Sequence, residues 1–293
     1  MELVPQGGTL TRRSPARTWQ AVRPEDAGKL SDARLQLHHA AMFGTAAGIS
    51  FLEPRPDDSQ MSLEWIAELG GLFSLIIPAK QSFRIGVRPS NLALLIVSEA
   101  NQVIEEYKLH GRTITDATDW VRSRIKPLGV DPTRYTLRRH FDIPRHDVAI
   151  GESFNASKPD RFDELARWLT NASSMLQSLA RKTRGASDVR CWPQHFDIAT
   201  LMKVAPNRTI GAGLEPGDDY YDEPYFYVNM TPQPPASRVQ SRPLWGNGKW
   251  HTRDWVGAVL PGSRFGAASA QERQVREFLD SAVSACRGLL MQS

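Results

Sequence analysis

The 293-residue sequence contains little of what cross-linked or thiolate-clamped folds are built from. It has two cysteines, Cys191 and Cys286, and neither belongs to a CxxC or CxxH motif. This excludes a thiolate zinc site and argues against a disulfide framework. Cys286 falls on the apolar stripe of a predicted C-terminal helix, so we expect a buried free thiol there.

Long apolar runs and a strong charge imbalance are also missing. The run at 92–97 is far shorter than the roughly 20 residues that a membrane helix needs. No apolar signal segment is visible near the start, so we expect a cytoplasmic protein without a membrane partner. Lys and Arg number 36 against 32 Asp and Glu, a net charge of +4, and we expect no nucleic-acid partner.

What is present is a globular composition with two clear periodicities. Apolar residues make up 41% of the chain and charged residues 23%, which suits a large buried core. Helical spacing predicts a helix beginning near Ser31, one that Thr115 caps, a long one over 159–184, and a final one opened by a capping box at 269–272. Alternation and turn residues predict strands at 83–87, 92–97, 103–109, 135–143, 189–192, 196–204, 209–214, 225–230 and 255–260.

Strands, then a long helix, then strands again indicate an α+β fold. We expect largely antiparallel pairing, with the central helix and a C-terminal helix packed on the sheet. Residues 1–30 lack periodicity and are predicted to form a loose arm. Residues 31–293 are predicted to form one large domain, with the option of two β-rich lobes, 31–157 and 186–293, joined by the 159–184 helix.

Four sequence blocks carry a resemblance. In order they are WPQHFD at 192–197, a glycine-rich PGD turn at 211–218, EPYFYV at 223–228 and WHTRDWVGAVL at 250–260. Together they resemble an uncharacterised bacterial family, a domain of unknown function. The resemblance implies kinship over most of the chain and no particular chemistry. At position 194 the resemblance leads us to expect a second histidine, and this chain has Gln194 there.

The first block supplies a candidate polar site. On a strand, residues i and i+2 share a face, so His195 and Asp197 are predicted to point the same way. Five acids follow within 215–223, including Glu223, and His251 lies in the last block. We take His195, Asp197, Glu223 and His251 as candidate catalytic residues. The candidate ligand-binding residues, mostly aromatic, are Trp192, Tyr225, Tyr227, Trp250 and Arg264.

Four interpretations of these residues remain open. His195, Asp197 and His251 have the types and order of a two-histidine, one-carboxylate set, which would bind a divalent metal ion. His195 oriented by Asp197 or Glu223 could instead act as a metal-free general base. A third interpretation is a small-molecule pocket without catalysis. The alternative to all three is a structural or protein-interaction module, in which these residues serve packing and hydrogen bonding.

Overall fold

Eleven antiparallel strands form one continuous sheet in the computed structural model, which describes residues 19–292. The strands are β1 (Leu63–Ile66), β2 (Gly71–Ser74), β3 (Phe83–Arg88), β4 (Ala93–Ser98), β5 (Val103–Lys108), β6 (Arg190–Trp192), β7 (Asp197–Ala205), β8 (Arg208–Glu215), β9 (Tyr225–Thr231), β10 (Lys249–His251) and β11 (Gly257–Pro261). Their order across the sheet is β10-β11-β9-β8-β7-β6-β1-β2-β3-β4-β5. The predicted α+β class with antiparallel pairing is confirmed.

Five α-helices accompany the sheet within the described residues. They are α1 (Ser31–Phe51), α2 (Ile114–Ile125), α3 (Pro159–Lys182), α4 (Ala236–Val239) and α5 (Gln271–Met291). α1 packs on β2 and β3, α3 on β1, β7 and β8, and α5 on β8, β9 and β11. None of the helices within residues 19–292 combines the length and apolar character that a membrane span requires.

The core lies between these helices and one face of the sheet. Alternate residues of neighbouring strands enter it, among them Ile198, Leu214 and Phe226, which are all fully buried. The predicted stripe of α3 lies against them because its apolar residues recur at helical spacing. Cys191 and Cys286 are both buried and free, as expected for Cys286.

Helix starts differ from their predictions in detail. Leu30, without a side-chain cap, precedes α1, so Ser31 is its first residue. Thr113 caps α2 through a capping box with Asp116, so the prediction of Thr115 was wrong by two residues. α5 begins at Gln271 without a side-chain cap, and the predicted box at 269–272 does not form.

Two predicted segments are organised differently. Residues 135–143 form no strand: Tyr135 is buried and donates a hydrogen bond to the Phe43 carbonyl at 2.8 Å, while the basic residues that follow are exposed. Of the predicted arm, residues 1–18 lie outside the described residues. Residues 19–30 pack on the body, where Val22 is buried and its backbone N–H donates to Gln271 Oε1 at 3.0 Å.

The two predicted lobes meet inside the sheet. The first five strands come from the first half of the chain and the other six from the second half. They join where β1 pairs with β6, through Leu63 and Cys191. The short strands β1, β2 and β10 were not predicted, since each has only three or four residues in which to show alternation.

Candidate functional site

The sheet register brings two carboxylates together at the ends of β7 and β8. Ile198 pairs with Leu214, so the next pair along the ladder places Asp197 opposite Glu215. Glu215 in turn pairs with Tyr225 on β9. These three side chains share the face opposite the helix-covered core, because core-facing Ile198, Leu214 and Phe226 alternate with them.

Asp197 is a buried acid with one oxygen bonded and one left over. Asp197 is only 6% exposed, and its Oδ2 accepts a hydrogen bond from the Tyr227 hydroxyl. Oδ1 is buried and has no hydrogen-bond partner among residues 19–292. Burial raises the pKa of Asp197 above its usual 3.8, and the Tyr227 hydrogen bond and the nearby His195 oppose that rise in pKa.

The pKa of Glu215 is raised by the same cause and by a larger amount. Glu215 is also 6% exposed, and burial raises its pKa well above the usual 4.5. The neighbouring charges of Asp197 and Asp218 raise that pKa further, and only Arg34 counters them. Two buried carboxyls that repel each other do not both ionise readily, so the pair retains a proton at pH values where exposed acids have lost theirs.

Gly213 makes room for the tyrosine that holds Asp197. Gly213 pairs with Tyr227, and a Cβ built on this glycine would lie 2.6 Å from the Tyr227 hydroxyl oxygen. The tyrosine ring therefore lies directly on the glycine backbone, and its hydroxyl reaches across β8 to Asp197 on β7.

An acidic loop closes the end of this face. Asp218 Oδ1 accepts hydrogen bonds from the backbone N–H groups of Tyr220 and Tyr221, each at 2.9 Å. Its Oδ2 accepts one from the Tyr225 hydroxyl at 2.7 Å. The Arg34 side chain from α1 donates to the Gly217 carbonyl, so the loop is tied to both β9 and α1.

His195 lies on a turn, which corrects the prediction that it shares a strand with Asp197. β7 begins at Asp197, and Pro193–Phe196 form the connection from β6. Phe196 adopts a φ of 65°, rare for a bulky residue, and its buried ring stacks on His38 at 4.6 Å between centroids. His195 is exposed in consequence, yet close enough to Asp197 to lower the pKa of that carboxyl.

His251 is buried and has both ring nitrogens occupied. Nε2 lies 2.5 Å from the Arg253 carbonyl oxygen, and Nδ1 lies 2.9 Å from the Tyr221 hydroxyl. Because a carbonyl only accepts, we assign the ring proton to Nε2 and have Nδ1 accept from Tyr221. Among the described residues no three His, Cys, Asp or Glu side chains are arranged to hold a metal ion, so the set of His195, Asp197 and His251 is not assembled as one.

The other predicted residues divide into two groups. Trp192 pairs with Asp197, and Tyr225 and Tyr227 belong to the buried carboxylate site. Three others are engaged elsewhere: Glu223 accepts from the Ser263 backbone at 2.6 Å, Trp250 donates to the Arg242 carbonyl at 2.8 Å, and Arg264 donates to the Asn247 carbonyl at 3.2 Å.

A row of aromatic rings connects the carboxylate site to His251. Ring centroids lie 6.4 Å apart between Tyr227 and Tyr225, 4.8 Å between Tyr225 and Tyr221, and 5.6 Å between Tyr221 and His251. Lys249 places its ammonium 4.9 Å from the Tyr221 ring centroid. His251 therefore belongs to the same face as Asp197 without touching it.

Sequence reasoning missed Glu215 and Gln194. Glu215 was counted among five acids, and only the register of β8 distinguishes it from the exposed ones. Gln194, half-buried on the turn before Asp197, has a buried Oε1 without a partner among the residues described. No family model matches the chain, and neither does any curated protein or any solved structure with which it was compared.

Proposed function

We propose that this protein binds a small positively charged ligand, one bearing a primary amine or a guanidinium group, at Asp197 and Glu215. The observation that carries the proposal is the buried, unpartnered Oδ1 of Asp197 beside a second buried carboxyl. A buried acceptor without a donor costs about 1–3 kcal/mol, which a bound donor would recover.

The surroundings favour a donor and a cation over other ligand types. Gln194 adds a second unpartnered acceptor three residues before Asp197. The hydroxyls of Tyr225 and Tyr227 are engaged by Asp218 and Asp197, so the nearby loop adds the carboxylate of Asp218 to the acidic surroundings. An anionic ligand would meet these acids with repulsion.

Acid–base catalysis is a second candidate, favoured by the raised pKa of both carboxyls. A carboxyl that keeps its proton near neutral pH can act as a general acid, and its ionised partner as a base. In this proposal Glu215 carries the proton and Asp197, held by Tyr227, accepts one.

Calorimetric titration with putrescine and agmatine tests the binding proposal. Asp197→Asn and Glu215→Gln each remove one negative charge with little change in shape, and each is expected to weaken amine binding at least about tenfold. Glu223→Gln is the matched control, because its carboxylate is already engaged by Ser263; it should bind as the wild type does. Equal binding of 1,4-butanediol would show that charge is not recognised.

The alternative is a structural or protein-interaction module. In it Asp197 and Glu215 serve only the folded state. Absence of amine binding, together with a loss of stability in Asp197→Asn, which disturbs the hydrogen bond with Tyr227, would favour it. We retain from the sequence the proposals of a cytoplasmic protein and of kinship with the family that the four blocks mark.

A further inference from the structure

The sheet opens where its two halves join. β1 and β6 pair only through Leu63 and Cys191, and beyond that pair the strands diverge. The space between them is a cavity of about 710 Å³. Residues 64–68 line it on one side and 188–190 on the other. One wall therefore includes the open edge of β1, and the other consists of the first residue of β6 and the two residues before it.

Charged side chains fix the geometry of these two edges. The Glu64 carboxylate accepts hydrogen bonds from two arginines, Arg84 of β3 at 2.6 Å and Arg190 of β6. The bond to Arg190 crosses the mouth of the cavity. Arg190 also reaches Asp188 at 2.9 Å. The contact between Glu64 and Arg190 links the two edges, and within the described residues β1 and β6 form no further backbone pair beyond Leu63 and Cys191.

Two buried donors at the cavity lack partners. Trp65 is 7% exposed, and its Nε1 has no hydrogen-bond partner among residues 19–292. The same holds for Nε of Arg84, although its Nη1 is bonded to Glu64 and to the Ser74 carbonyl. Asn101, which also lines the cavity, has an unpartnered buried Oδ1. Peptide groups offer the carbonyl oxygens and N–H groups that these atoms require.

The polar side of α3 forms the floor of the cavity, and the Arg181 guanidinium lies at the edge of the cavity. Thr170, Ser173, Ser174 and Gln177 line the cavity, while Leu169 and Leu176 of the same helix face the core. Arg181 is exposed at the last turn of α3, and within the part of the chain described it makes no ion pair. It is thus free to receive an anionic group.

We propose that this cleft binds a short extended peptide, which adds a strand between β1 and β6 and presents its terminal carboxylate to Arg181. A strand advances about 3.3 Å per residue, and a volume of this size accommodates a peptide of about three residues. Main-chain hydrogen bonds to open strand edges give such binding its affinity, and the carboxylate fixes the direction of the peptide. This site is separate from the amine site, and neither proposal rests on the other.

Trialanine is the probe, because recognition through main chain and terminus does not depend on side chains. Binding is followed by the two-dimensional NMR signal of the Trp65 indole N–H, assigned by its loss in Trp65→Phe. We expect a saturable shift in the millimolar range, and binding about tenfold weaker for the C-terminal amide. Arg181→Gln should bind the free peptide and the amide equally, whereas Arg184→Gln, an exposed arginine past the end of the same helix, should keep the preference.

Four outcomes would overturn the proposal. The first is the absence of a saturable Trp65 shift with trialanine. The second is equal affinity for the acid and the amide in the wild type. The third is unchanged binding of trialanine whose backbone nitrogens are methylated, since that peptide cannot donate to a strand edge. The fourth is a full shift with acetate in place of trialanine, which would show an anion site and no peptide site.

Discussion

Tyr227 on β9 donates its hydroxyl hydrogen to Asp197 on β7 across the intervening strand, with its ring on Gly213. The bond satisfies one oxygen of a buried acid and leaves the other open. This arrangement keeps an acceptor available within a closed polar face. Tyr227, Gly213 and the neighbouring acid Glu215 each give a separate prediction.

Tyr227→Phe should destabilise the protein by about 1–3 kcal/mol at pH 7, because a buried carboxylate loses the hydrogen bond that Tyr227 donates to it. The cost should shrink in acid, where Asp197 is protonated. Tyr225→Phe is the matched control: its acceptor Asp218 keeps two backbone donors. Urea unfolding at pH 7 and pH 4 measures both variants, and equal losses for the two would contradict the assignment.

Gly213→Ala should cost about 1–3 kcal/mol, because the added methyl group would occupy the position of the Tyr227 ring. Gly288→Ala in α5 is the opposite case. Nothing lies within 4 Å of its Cβ position, so alanine should raise stability by about 0.5–1 kcal/mol through helix propensity. Thermal unfolding distinguishes the two. A neutral Gly213→Ala would mean that the tyrosine ring is not held there.

Glu215→Gln should flatten the dependence of stability on pH. The folded-state pKa of Glu215 lies above its unfolded value, so the folded protein binds more protons between the two. Stability is then lost as the pH rises from about 4.5 toward that raised pKa. Glutamine has no proton to lose, and the variant should gain stability relative to the wild type at pH 8. An unchanged slope would show that Glu215 ionises as an exposed acid does.

His38 should make stability depend on pH in the opposite direction, with stability falling as the pH falls. Burial lowers its pKa from 6.5 to about 3, so the ring is neutral in the folded protein. Stability is complete above pH 6.5 and declines by up to about 1.4 kcal/mol per unit as the pH falls toward the folded-state value. His38→Phe keeps a ring against Phe196 and should lose that slope between pH 6.5 and 4. It should also cost about 1 kcal/mol at pH 7, since the Pro193 carbonyl loses its partner. If the stability of His38→Phe fell with pH as steeply as that of the wild type, His38 would not be a buried neutral histidine.

The sequence predicted elements whose pattern is strong over many residues. α3 carries its apolar stripe through 24 residues, and β3 with β4 alternates around a Pro-Ser-Asn turn. The prediction of a strand at 135–143 was wrong because only Tyr135 is buried there, and the residues after it are half-buried or exposed without alternating regularly. The apolar residues of this segment each pack on the core individually, and they do not form a strand with alternating faces.

The site was predicted in part. Asp197, Tyr225 and Tyr227 were identified because they sit in strand blocks rich in aromatic and acidic residues. His195 was placed on the wrong element, because a left-handed Phe196 ends the turn one residue before the strand starts. Glu215 needed the register between β7 and β8, and register depends on pairing between distant segments that one sequence does not reveal.

Proton linkage tests the proposed cation site most directly. A cation entering between Asp197 and Glu215 favours ionisation of both, so the proton retained by the pair must leave. Titration of the wild type with agmatine at pH 6, in two buffers of different ionisation enthalpy, counts the protons released. We predict release of close to one proton per ligand, and much less in Glu215→Gln. Binding without proton release, or no binding at all, would contradict the central claim that this buried carboxyl pair is a cation site.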